Sequence, residues 1–216
     1  MALGRKPRTR PAGLAALSIL AGALALTTAA CGSSAPSASA TSHRSGSPSP
    51  HMSEHMTEHA MTIGTDCGMI PSAGMGSMHG MASEPVATAA SHDPLVTTFA
   101  ADVQKAGLTS TLNSAHGITV FAPDNQAFSK LSAHDMAMMS GQAALAKVLN
   151  YHVVRGQITP ADFARGITLT TLEGGQLKIS KMGSTYEANN AAITCGNLHT
   201  ANATVYIINT VLTPMH

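Results

Sequence analysis

Residues 119–128, which run Thr-Val-Phe-Ala-Pro-Asp-Asn-Gln-Ala-Phe, constrain the fold more than any other stretch of this chain. Thr119, Val120 and Phe121 are β-branched and aromatic side chains of the kind that pack on a sheet. Pro123 fixes φ and pushes Ala122 towards extended geometry, so the strand must end there. Asp124 or Asn125 then offers a side-chain oxygen to cap a helical turn, after which Phe128 and Leu131, three residues apart, face the core together. The expectation is a buried strand that runs directly into a capped helix.

This stretch resembles the first signature motif of the fasciclin domain, typically Thr-Val-Phe-Ala-Pro-Thr/Asp-Asn-x-Ala-Phe. Two further segments match that family in the right order. Residues 148–154, with Tyr151 and His152, resemble its central Tyr-His segment, and residues 202–212 resemble its second signature motif. The resemblance spans residues 83–214 and implies an α+β fold: a single fasciclin domain, with a β-sandwich-like wedge and helices packed at one side.

The patterning agrees. Leu95, Phe99, Val103 and Ala106 recur at helical spacing and Gly107 ends the run, predicting a helix over 95–106. Shorter helices are expected over 85–90, 125–131, 133–139 and 142–149, while 108–112 leads towards the first strand. Strands are expected over 168–172, 176–180, 184–187, 191–194 and 204–212, with turns at Gly174-Gly175, Met182-Gly183, Asn189-Asn190 and Gly196-Asn197. Helices first and strands later indicate α+β. Met136, Met138 and Met139, near His134, read as including helix-core positions and adaptable packing.

The remaining sequence is mostly not core. Only 3% of the 216 residues are aromatic and there is no Trp, so a core spread over the full length would be thin. Arg5, Lys6, Arg8 and Arg10 precede an apolar run over 12–26 and the small residues Ala29 and Ala30, which is the pattern of an export signal over residues 1–30. Gly13, Ser18 and Gly22 interrupt that run, which is short for a stable membrane span. Ala29-Ala30-Cys31-Gly32 resembles a bacterial lipobox, although Thr28 stands where Leu is usual. The resemblance implies acylation of Cys31 and an anchor on the outer face of the membrane. The alternative is a plain secretory signal cut near Ala30.

Three cysteines leave an odd thiol in an exported protein; committing Cys31 to lipid leaves Cys67 and Cys195 as a pair. Resemblance to lipid-anchored and secreted mycobacterial fasciclin-type antigens implies the same bridge, with one cysteine in an N-terminal arm and the other before the last motif. Residues 31–50 are rich in Ser, Ala and Pro and are expected to be a flexible tether.

Residues 51–82 differ from the tether. Four of the eleven histidines and seven of the thirteen methionines lie there, so the composition is biased towards two metal-ligating side chains. His51, Met52, His55, Met56, His59 and Met61 form an imperfect four-residue repeat, and Met75, Met78, His79 and Met81 a second cluster. Thioether and imidazole ligands outside the membrane suit Cu(I) or Ag(I), and the pattern resembles exported copper- and silver-binding repeats. The alternative is a low-complexity linker. No cofactor is required by anything in the domain itself.

Without the four basic residues of the signal, eight Lys and Arg face eleven Asp and Glu, a formal charge of −3. No basic patch or nucleic-acid motif is present, so nucleic acid is not an expected partner. Ser, His and Asp residues show no spacing that would assemble a triad, and an enzyme is not expected. Tyr151-His152 corresponds to a segment linked to integrin binding in animal relatives; here His152 reads as a structural hydrogen-bonding residue. Asn202-Ala203-Thr204 matches an N-glycosylation sequon, but Asn202 is expected to shape the turn before the last strand. The leading expectation is a monomeric, non-enzymatic adhesion or binding protein held at the membrane by Cys31, its partner a cell-surface or matrix protein or glycan. Copper or silver sequestration is the second.

Overall fold

A computed structural model describes residues 62–214. The expected signal, Cys31, the tether and the first His/Met cluster from His51 to Met61 lie outside the described residues.

Two strands of the sheet run parallel side by side: β1 (Ile118–Pro123) and β7 (Ala203–Ile208), paired from Ile118 opposite Ala203 to Pro123 opposite Ile208. Both are buried along their whole length. β2 (Val153–Arg155) flanks β1, and β6 (Ala191–His199), β5 (Thr185–Ala188), β4 (Gln176–Met182) and β3 (Thr168–Thr170) continue outward from β7 in antiparallel pairs. The sheet rolls until its ends meet. Val154 of β2 bridges Thr171 beside β3, and the Leu172 amide donates to the Val153 carbonyl at 2.7 Å.

Four helices precede β1: α1 (Met78–Ala82), α2 (Val86–His92), α3 (Thr97–Lys105) and α4 (Thr109–Ser114). Between β1 and β2 come α5 (Asn125–Ser129), α6 (Ala133–Met138) and α7 (Gln142–Tyr151), and α8 (Pro160–Ala164) follows β2.

Burial on both sheet faces follows from the period of two along a strand. Val120 and Ala122 of β1, Val205 and Ile207 of β7, and Cys195 and Leu198 of β6 join the helix-side core with Phe99, Val103 and Leu145. Phe121, Tyr206, Ile208 and Ile193 face the interior of the roll, with Phe163, Leu177 and Ile179. This explains how a chain with so few aromatics builds two cores. Five of its seven aromatic side chains fill the roll, with the Phe163 ring of α8 edge-on to Tyr206 at 4.6 Å.

Several local expectations change. Within the stretch that leads towards the first strand, 109–114 form α4, whose Leu112 is buried. Gly196-Asn197 is not a hairpin turn but a bulge within β6, where the register to β7 shifts between Cys195 and Leu198 and Asn197 takes φ 61°. Gly196 is required there because an added Cβ would collide with the Tyr206 ring. The last strand ends at Ile208, short of the expected 212.

Candidate binding surface

Each signature segment contains an asparagine that bonds helix ends elsewhere in the chain. Asp124 caps α5, accepting the Ala127 amide, so Asn125 is free for another task. Its Oδ1 accepts from the Thr98 amide at 2.9 Å and its Nδ2 donates to the Pro94 carbonyl at 2.8 Å, fixing the start of α3, whose own cap position, Val96, has no polar side chain. Asn202 performs the same role twice. Its Oδ1 accepts from the Val86 amide at 2.8 Å at the start of α2, while its Nδ2 donates to the Leu112 and Ala115 carbonyls, at 2.7 and 2.6 Å, at the end of α4. Asn202 is 6% exposed, so its amide is committed to the fold rather than presented as a glycan acceptor.

Tyr151 and His152 point into different cores. The Tyr151 hydroxyl donates to the Gln176 carbonyl at 2.8 Å and accepts from Asn189. His152 is 1% exposed; Nδ1 donates to the Val148 carbonyl at 2.8 Å, and Nε2 accepts from the Leu212 amide at 3.0 Å. These partners fix the neutral tautomer with the proton on Nδ1. Burial lowers the pKa to about 4, opposed by the Val148 bond. The unfolded chain, with a histidine near 6.5, therefore binds a proton at pH values where the folded chain does not. Stability is full above pH 6.5 and falls towards pH 4, by about 3 kcal/mol from this residue. Urea midpoints of wild type and His152→Gln at pH 7 and pH 4 should diverge by that amount, and parallel curves would refute it.

Cys67 lies on a 3-10 turn (Asp66–Met69) and is bonded to Cys195 of β6, with Cα atoms 4.9 Å apart. Ile63 and Gly196 exchange two backbone hydrogen bonds beside it, of 3.2 and 2.7 Å. The second His/Met cluster is divided by this packing. Met75 is 53% exposed and His79 is exposed, whereas Met78 packs against the core and Met81, 4% exposed, is part of it. Met81 is thus corrected from candidate ligand to core residue, because α1 turns it towards the sheet. Among the described residues no three His, Cys, Asp or Glu side chains converge as a metal site.

A hollow lies beside α6. It has a volume of about 560 Å³ and lies among α6, α7 and the segment after β7, with Met138, Met139, Ala144, Val148 and Pro214 as its apolar walls. His134, Asp135, Lys147 and Thr213 provide its polar groups. Met139 is the core position expected among the three methionines, while Met136 and Met138 are 52% and 45% exposed. The sequence offered a signal only in the clustering of methionines, since the hollow depends on how α6 sits against α7.

A rolled sheet backed by helices on one side, stapled to an N-terminal arm and carrying an apolar cleft, defines an α+β domain of the FAS1 type. A family model described as fasciclin domain matches residues 94–214, and the chain belongs to the fasciclin family. It is 40% identical over 161 residues to the immunogenic protein MPB70 of Mycobacterium bovis, spanning 70% of this chain and 82% of that one. It is 37% identical over 222 residues to the cell surface glycolipoprotein MPB83 of the same species, spanning 96% of this chain and 97% of the relative. A solved FAS1 domain pair from the insect cell adhesion molecule fasciclin I shares the fold, with a TM-score of 0.50 and 14% identity over 62% of this chain and 52% of that one. Among the described residues no helix is long and apolar enough to cross a membrane.

Proposed function

We propose that this chain is a non-enzymatic, monomeric adhesion or binding protein, exported and held on the outer face of the cell membrane by a lipid on Cys31. Its partner on this reading is a cell-surface or matrix protein or glycan. The observation that carries it is the nearly end-to-end similarity to a cell surface glycolipoprotein, which takes in the N-terminal segment as well as the fasciclin domain. Ala29-Ala30-Cys31-Gly32 adds the chemistry of an acylated cysteine, and the three chains it would carry hold a protein at a bilayer far better than one. In the native bacterium, wild type should incorporate labelled palmitate and stay with the cells, while Cys31→Ala should lose the label and pass to the medium. Retention of label by Cys31→Ala would reject the anchor. The mature chain, used as bait on intact cell surfaces, should capture a saturable partner that excess unlabelled chain displaces.

A second reading is favoured by the His/Met repeat. His51, Met52, His55, Met56, His59 and Met61 supply soft and borderline ligands, and exposed Met75 and His79 add to them. Competition with a Cu(I) chelator should show binding that disappears when these histidines and methionines are replaced by Ala and Leu. An unchanged titration would reject this reading.

A further inference from the structure

We propose that the cleft beside α6 binds a free long-chain carboxylate amphiphile, a fatty acid anion, with its hydrocarbon chain among the methionines and its carboxylate at Lys147. The inference does not depend on the anchor at Cys31.

The cleft has the size and character of a ligand site. Its volume of about 560 Å³ falls within the range of roughly 300 to 1,000 Å³ typical of small-molecule pockets, which are mainly apolar with a few polar groups that orient the ligand. α6 itself buries none of its residues. A second hollow of about 260 Å³ is lined by Met136 of the same helix, and the two share Met139. Protein interiors are ordinarily packed as densely as organic crystals, so a helix resting beside two hollows is underfilled by its own side chains. Methionine adapts its shape to what it packs against, so Met138 and Met139 can follow a hydrocarbon chain.

The polar groups select the ligand class. The polar side chains that line the cleft are few: His134, Asp135, Lys147 and Thr213. Asp135 already accepts the Ser132 hydroxyl at 2.7 Å as part of the α6 cap. The Lys147 side chain is half exposed, with its ammonium 3.5 Å from Glu173, and an ammonium carries three donors. A carboxylate can therefore share Lys147 without stripping the ion pair. Lys147 is the one Lys or Arg among the residues that line the cleft, and hydrocarbon beside that ammonium fits an anionic amphiphile.

Fluorescence titration with cis-parinaric acid, followed by displacement with palmitate, tests the site on the full mature chain carrying Cys31→Ser, so that no acyl group of its own competes. Wild type in that background should bind saturably. Ala144→Phe, which fills the cleft, should weaken binding at least about tenfold, and its thermal midpoint reports whether it folds. Lys147→Gln, on an exposed side chain, should weaken palmitate about fivefold and leave methyl palmitate unchanged, since the ester has no charge to lose. Non-saturable uptake by wild type, equal affinity in Ala144→Phe, or binding only to lipid vesicles with both variants unaffected would each overturn the proposal.

Discussion

Replacing Asn202 with alanine should destabilise the domain by about 4 kcal/mol, because three buried backbone groups would lose their partner at once. The Val86 amide at the start of α2 and the Leu112 and Ala115 carbonyls at the end of α4 are among the groups a helix cannot satisfy internally. The hollow left by the side chain is too enclosed for bulk water to replace all three bonds, since Asn202 is 6% exposed. Asn202→Asp should be at least as harmful near neutral pH, as a carboxylate would keep the bond to Val86 but face two carbonyl oxygens with no proton to donate. Urea unfolding monitored by circular dichroism would register both variants. A loss below about 1 kcal/mol in Asn202→Ala would show that the loop, rather than the amide, holds α2 and α4 in place.

Breaking the bond between Cys67 and Cys195 is expected to cost about 4 to 5 kcal/mol, the chain-entropy value for a loop that closes 128 positions of sequence. The doubly substituted Cys67→Ala/Cys195→Ala chain should unfold at a lower urea concentration. Hydrogen exchange should also separate its parts: the Ile63 and Gly196 amides, bonded only across the arm, should exchange quickly, while Tyr206 and Ile207 within β7 keep most of their protection. Equal unfolding midpoints with and without the bridge would mean that the arm contributes nothing to the folded state.

The parts of this fold that sequence reveals are those whose cause is local. Val120, Phe121 and Pro123 state strand and stop within four residues, and Asp124 caps the very next helix. What Asn125 and Asn202 do is not local, since each bonds helices far away in sequence, Asn202 across 116 positions to Val86. A local reading sees only turn-forming residues there. α8 is a different kind of miss. Thr159, Pro160 and Asp162 spell a capping box with proline at the first position, a signal present in a stretch to which the sequence reading assigned no element. The bulge at Gly196-Asn197 looked like a turn because both bulges and turns use a residue with positive φ; only the pairing partner distinguishes them. The cleft beside α6 had no local cause at all, because it is space that three separate segments leave unfilled.

The staple between Cys67 and Cys195 also sets how the domain would carry a mechanical load. A pull on the N-terminal arm passes through the two sulfur atoms into the middle of β6, so the backbone from 68 to 194, with all eight helices, lies on a closed loop outside the line of force. However hard the arm is drawn, that loop adds no length to it while the bond is intact. Only the covalent arm before Cys67 and the short stretch after Cys195 can extend, at no more than about 3.6 Å per residue. The stretch after Cys195 includes β7, which is held on both sides by β1 and β6. A pull between the arm and the end of β7 would thus be borne first by β6, β7 and β1, with α1 to α8 off its covalent path.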